Sequence, residues 1–210
     1  MNRRATFGLA VALLAPATAR AQVVNDSIRT DGLPIEKGLL SLSNATINLT
    51  SGNLQIVFIP LDERLLRLIT KDSYRSMERL LTQQQHALDS VTSERGISSP
   101  GIAFVSFNGL APNTRFEPDQ LALNFHGQQY RPVAWIPMSP TFSNQQLDAR
   151  QQVQALFIYR RDIPVRESFT LTYLASTSDD WGNRLQRFDT ERLRILGVSR
   201  TRTDSIHRRP

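Results

Sequence analysis

Ile102-Ala103-Phe104-Val105-Ser106-Phe107 carries apolar side chains at both odd and even positions. Neither face of a strand built from it can look onto water, so the stretch belongs at the centre of a sheet. The chain downstream continues in the same manner. Leu121, Leu123 and Phe125 alternate with Ala122, Asn124 and His126, and Gly127-Gln128-Gln129 then turns the chain into Tyr130 to Ile136. Val153, Ala155, Phe157 and Tyr159 line one face of a later strand, and Phe169, Leu171 and Tyr173 alternate with Thr170 and Thr172. Strands separated by turns, with no helix between them, predict an antiparallel sandwich and argue against a βαβ fold. Parity sends Leu123, Phe125, Phe157, Leu171 and Tyr173 into one core. Pro132 and Pro137 cannot donate to a ladder, which places Tyr130 to Ile136 at an edge or around a bulge.

Upstream, Leu39 to Ser43 and Ala45 to Thr50 alternate at period two, Ser51-Gly52-Asn53 signals a turn, and Leu54 to Ile59 reads as the returning strand. Pro60 ends that hairpin and the period changes. Between Asp72 and Thr92, Met77, Leu81 and Leu88, flanked by Tyr74 and Leu80, fall on one side of a helix. Asp72 or Ser73 supplies the cap, and Gly96 with Pro100 closes the far end. The fold class is therefore mainly β, an antiparallel sandwich with one inserted amphipathic α-helix over about 72–92. A polar lead-in occupies 22–38, the single domain 39–198, and a basic, disordered tail 199–210. Trp181 to Leu196 fits neither template well, and Arg192 to Leu196 is read as a last strand.

Arg3 and Arg4, an apolar run from Ala5 to Ala15, and Ala19-Arg20-Ala21 compose a signal peptide over residues 1–21, so the mature chain is expected to begin at Gln22. That predicts export to the periplasm or beyond, from a bacterium more readily than from a eukaryote. The chain has no cysteine, which excludes disulfides, thiolate zinc sites, thiol nucleophiles and lipid attachment at a lipoprotein cysteine. After the signal there is no apolar run long enough for a transmembrane anchor. The formal charge of +6 over 210 residues invites a nucleic-acid reading. Its excess, however, sits in the signal and in Arg200, Arg202, Arg208 and Arg209, and the domain between is balanced. No specific nucleic-acid partner is expected. The tail offers at most a weak contact with anionic surfaces.

The second half resembles an immunoglobulin-like β-sandwich domain of unknown function found in exported bacterial proteins. The resemblance rests on Phe104-Val105-Ser106-Phe107, an Arg115-Phe116-Glu117-Pro118 corner, the Leu121 to Phe125 strand, and the Gly127 turn leading to Tyr130. Leu147-Asp148-Ala149-Arg150, the strand Ala155 to Tyr159 and the strand Phe169 to Tyr173 complete it, over residues 101–175. It implies an immunoglobulin-like fold with a binding or structural role. It brings no catalytic residues and no cofactor.

His86, His126 and His207 have no metal-ligand spacing, and Gly96-Ile97-Ser98-Ser99-Pro100-Gly101 is not a nucleophile elbow. The acids pair locally as Asp62-Glu63, Glu117 with Asp119, Asp179-Asp180 and Asp189 with Glu191. Paired carboxylates can drive glycoside hydrolysis, but acids in such polar stretches are ordinarily solvated. The expected function is a non-enzymatic cell-envelope binding or accessory module, with an unidentified envelope protein or polysaccharide as partner and no cofactor. The alternative is a hydrolase of envelope polysaccharide using Asp179 and Asp180. The partner surface is expected from Arg131, Trp135, Asp179, Asp180 and Trp181. In it, either the amphipathic helix covers Val133 and Trp135 or those side chains form an exposed patch.

Overall fold

A computed structural model of the chain describes residues 30–206, with side chains described through residue 197. The expected signal peptide, the start of the lead-in and the side chains of the basic tail lie outside the described residues.

The protein is β-rich, and its sheets are antiparallel. The hairpin forms as expected: β1 (Ile47–Ser51) pairs with β2 (Leu54–Pro60) through a two-residue turn in which Gly52 takes a positive φ. The strand expected over Leu39 to Ser43 does not form. Ser41 instead accepts the Ser43 amide and starts a 3-10 turn, Leu42–Ala45. The apolar stretch Ile102 to Phe107 falls within β3 (Gly101–Gly109), in the middle of a sheet ordered β1-β2-β3-β9-β7, where β7 is Ala134–Pro137 and β9 is Gln152–Tyr159.

A second sheet is ordered β11-β10-β5-β6, from Ser176–Ser178, Thr170–Tyr173, Leu121–Phe125 and Gln128–Tyr130. A two-stranded piece, β4 (Thr114–Arg115) with β8 (Gln146–Leu147), closes one corner. The expected strand Tyr130 to Ile136 is split at Pro132, and its halves join different sheets as β6 and β7, each at an edge.

The two main sheets meet face to face. Phe107 on β3 stacks on Phe116 at 4.6 Å between ring centroids and reaches Tyr173 on β10 at 6.3 Å. Leu123, Phe157, Leu171 and Tyr173 are buried there as expected, while Phe125 is half-buried and stacks on His126 at the surface.

After a single helical turn, α1 (Glu63–Leu66), the amphipathic helix α2 runs Lys71–Glu94. It agrees with the expectation in place and period, and its end is closed by Gly96 in the left-handed region. Tyr74 and Leu88 are buried, Met77, Leu81 and Val91 half-buried, and the helix lies beside β7.

The described residues end in a second long helix, α3 (Asp180–Ile206), in place of the expected last strand. Its buried positions Trp181, Phe188, Glu191, Arg192 and Ile195 follow helical spacing, but two of them are charged, and the apolar Leu193 points to solvent. Those substitutions hid the period. The helix also enters the stretch expected as a tail, where nothing before Pro210 is a helix breaker.

Candidate functional site

Strand register sorts the five-stranded sheet into two faces. One carries Ile47, Leu49, Ile56, Phe58, Val105, Phe107, Val153 and Phe157, all buried against the second sheet. On the opposite, outer face, cross-strand neighbours form rows. Two rows are apolar: Ile59, Phe104, Leu156 and Ile136, then Ile102, Ile158 and Ala134. These are the rows that need cover, and they end on β7, beside which α2 lies.

The other two rows are polar. Thr50, Gln55, Asn108 and Gln152 stand opposite one another across β1, β2, β3 and β9, and next to them run Asn48, Val57, Ser106 and Gln154. Alternation explains the arrangement: the same strands that bury every odd or even residue inward present these to the outside. Asn48, Thr50 and Gln152 are exposed, and Gln55, Asn108 and Gln154 are half-buried.

None of the strand residues in these two rows is charged. The Gln152 amide donates to the Ser106 hydroxyl at 2.7 Å, and that hydroxyl donates to the Asn108 side-chain carbonyl at 3.2 Å, so Ser106 is buried and satisfied. The side chains of Asn48, Thr50, Gln55 and Gln154 make no hydrogen bond to other described residues. Each amide thus offers both a donor and an acceptor outward. Leu110, which follows Asn108 at the same parity, is 54% exposed at the rim.

The residues expected from sequence to form one partner surface are not brought together. Arg131 follows β6, whereas Asp179 and Asp180 follow β11, and these strands are opposite edges of the four-stranded sheet. Arg131 is exposed, reaching Gln129, Gln120 and the Asp119 carbonyl at 3.3 to 3.4 Å. Trp135 is half-buried, but not under the helix. It pairs with Phe157 and lies 6.1 Å from that ring on the inter-sheet side, so the parity that faces α2 is that of Ala134 and Ile136. Trp181 is 0% exposed, packed between Phe169 and Phe188 with its indole N–H donating to the Val165 carbonyl. It holds α3 to the core and presents no surface. Asp179 and Asp180 are exposed at the N-terminus of α3, a position that favours carboxylates.

Several other acids are engaged by arginines. Arg64 pairs with Asp62 at 2.5 Å and reaches Asp162 at 4.0 Å, Arg67 holds Glu63 at 2.9 Å, and Arg192 contacts Asp189 and Asp31. Glu191, buried, accepts the Leu39 amide at 2.7 Å and two bonds from Arg194, whose guanidinium pulls the carboxyl below its usual range against the opposing effect of burial. Arg184 donates to the carbonyls of Ser43, Asn44 and Thr46.

With Arg194 on the Lys37 carbonyl and Arg67 on the Leu33 carbonyl, these contacts fasten the lead-in strap to α1 and α3. Gly38 completes the fastening, since a Cβ there would lie 2.2 Å from the Leu68 carbonyl carbon. Sequence reading missed this set because each arginine contacts residues distant in sequence. Beside the strap, Leu40, Gln186, Arg187 and Thr190 line an open groove of about 380 Å³.

Among the described residues no cluster of three or more metal-ligating side chains occurs, and no helix is long and apolar enough to cross a membrane. No protein-family model, curated protein or solved structure matches this chain.

Proposed function

We propose that the chain is an exported, non-enzymatic binding or accessory module of the bacterial cell envelope, acting in the periplasm or outside the cell. The observation that carries this reading is the outer sheet face: two rows of uncharged strand residues in which the side chains of Asn48, Thr50, Gln55 and Gln154 make no hydrogen bond to other described residues. Unpaired amides on a sheet are suited to recognition, because the strand register fixes the spacing of their backbone positions before a partner arrives. The terminal pattern Ala19-Arg20-Ala21 supports export. The arginine contacts that occupy Asp62, Glu63, Asp189 and Glu191 favour binding over carboxylate chemistry.

The immunoglobulin-like reading is supported by two stacked antiparallel sheets. The succession β1-β2-β3 within one sheet departs from the immunoglobulin strand order. Fractionation of an expressing bacterium, with intact-mass measurement, tests export. A chain beginning at Gln22 in the periplasmic or secreted fraction is expected, and a cytoplasmic chain retaining Met1 contradicts it.

A further inference from the structure

We infer that the uncharged rows on the outer face of the five-stranded sheet bind a neutral, hydroxyl-rich polysaccharide. The inference rests on the binding-module reading and names its ligand class. Gln55, Asn108 and Gln152 form a row of three amides across adjacent strands, and in the next row Asn48 and Gln154 flank Val57 and Ser106. Strands in a sheet lie about 4.8 Å apart, so neighbouring amides are separated by roughly the width of a sugar ring.

Chemistry selects among occupants. A hydroxyl group both donates and accepts, and so does a primary amide, so a row of amides matches a run of hydroxyls without demanding one orientation. A neutral polymer brings no ion to desolvate, and these rows supply no charge with which to pair one. A nucleic acid, an anionic polysaccharide or an anionic membrane would find no counter-charge among the strand residues of these rows. A protein partner would call for a buried aromatic or arginine anchor at the centre, where this face has Val57 with a hydroxyl and amides around it. The apolar faces of sugar rings fit Val57 and the exposed Leu110 at the rim. With no aromatic platform, each ring is held weakly, and affinity accumulates along a polymer that engages several rows at once.

Affinity electrophoresis of the mature chain in gels containing dextran, laminarin or amylose tests this, with polygalacturonate as the anionic comparison. The variants are Asn48→Asp with Gln55→Glu. Each replaces an amide by a carboxylate of the same shape, at side chains with no internal hydrogen bond. Gln83→Glu, exposed on α2, is the control. Retardation by at least one neutral glucan is expected, unchanged between about 50 mM and about 500 mM salt. It should be about tenfold weaker in the double variant, with an unaltered melting temperature, and intact in Gln83→Glu.

Gln55→Ala, which adds no charge, should weaken binding in the same direction and guards against a misfolded double variant. The inference is overturned if none of the three glucans retards the protein, or if the double variant binds as well as the parent. It is equally overturned if only polygalacturonate binds and salt abolishes that binding, or if sedimentation shows the face pairing two copies of this chain. Loss of glucan binding alongside envelope retention that still depends on Gln55 would sink the ligand class and leave the binding-module reading standing.

Discussion

Replacing Phe107 by alanine should remove the contact that joins the two sheets. The side chain is fully buried, stacked on Phe116 at 4.6 Å and within 6.0 to 6.3 Å of Phe142, Phe157 and Tyr173. Truncating a buried phenylalanine costs about 3 to 5 kcal/mol, and the stacked pair with Phe116 puts Phe107 at the upper end of that range. A loss of about 5 kcal/mol approaches the whole stability of a marginal domain. Phe107→Leu keeps most of the volume and should cost about 1 to 2 kcal/mol.

Urea titration at neutral pH provides the assay, with the midpoint falling and the slope unchanged if the transition stays two-state. For a domain of this size each kcal/mol lowers the melting temperature by about 2 to 4 °C, so the alanine variant should melt about 10 to 20 °C earlier. A loss under about 1 kcal/mol for Phe107→Ala would refute the packing of β3 against the second sheet.

The two tryptophans should separate in fluorescence: Trp135→Phe should leave a blue-shifted emission from buried Trp181 that acrylamide barely quenches, and strong quenching of that emission would contradict the burial of Trp181. Glu191→Gln should cost about 1 to 3 kcal/mol at neutral pH by weakening its charged hydrogen bonds to Arg194 and the Leu39 amide. Because the folded pKa of Glu191 is depressed, its contribution is present above the unfolded value of about 4.3 and is lost as pH falls through the folded one. Urea midpoints of Glu191→Gln should accordingly depend less on pH below 4.3 than those of the parent. Arg184→Met should speed amide exchange in the Leu42–Ala45 turn, and unchanged exchange there would show that the three carbonyl contacts do not hold it.

The strands were legible wherever alternation stood against a core, as in β3, β9 and β10, because one buried face imposes period two on the sequence. The helix α2 was legible for the same reason at period 3.6. α3 was not, since the charged Glu191 and Arg192 occupy buried positions of its stripe, and the contact that lets Glu191 be buried, its bond from the Leu39 amide, comes from far away in the sequence. The outer face escaped notice because its amides are scattered over four strands and become neighbours only through register. Trp135, expected either under α2 or in an exposed patch, lies instead on the inter-sheet side beside Phe157. Both parities of its strand carry apolar residues, and only the pairing with Phe157 decides between them.

Retention by native envelope material tests the central claim most directly. Purified mature chain is incubated with envelope fragments and sedimented beside the Asn48→Asp, Gln55→Glu double variant and the Gln83→Glu control. The account predicts that the parent and Gln83→Glu sediment with the envelope while the double variant, folded and equally stable, remains in the supernatant. Equal retention of all three proteins, or retention of none, would contradict it.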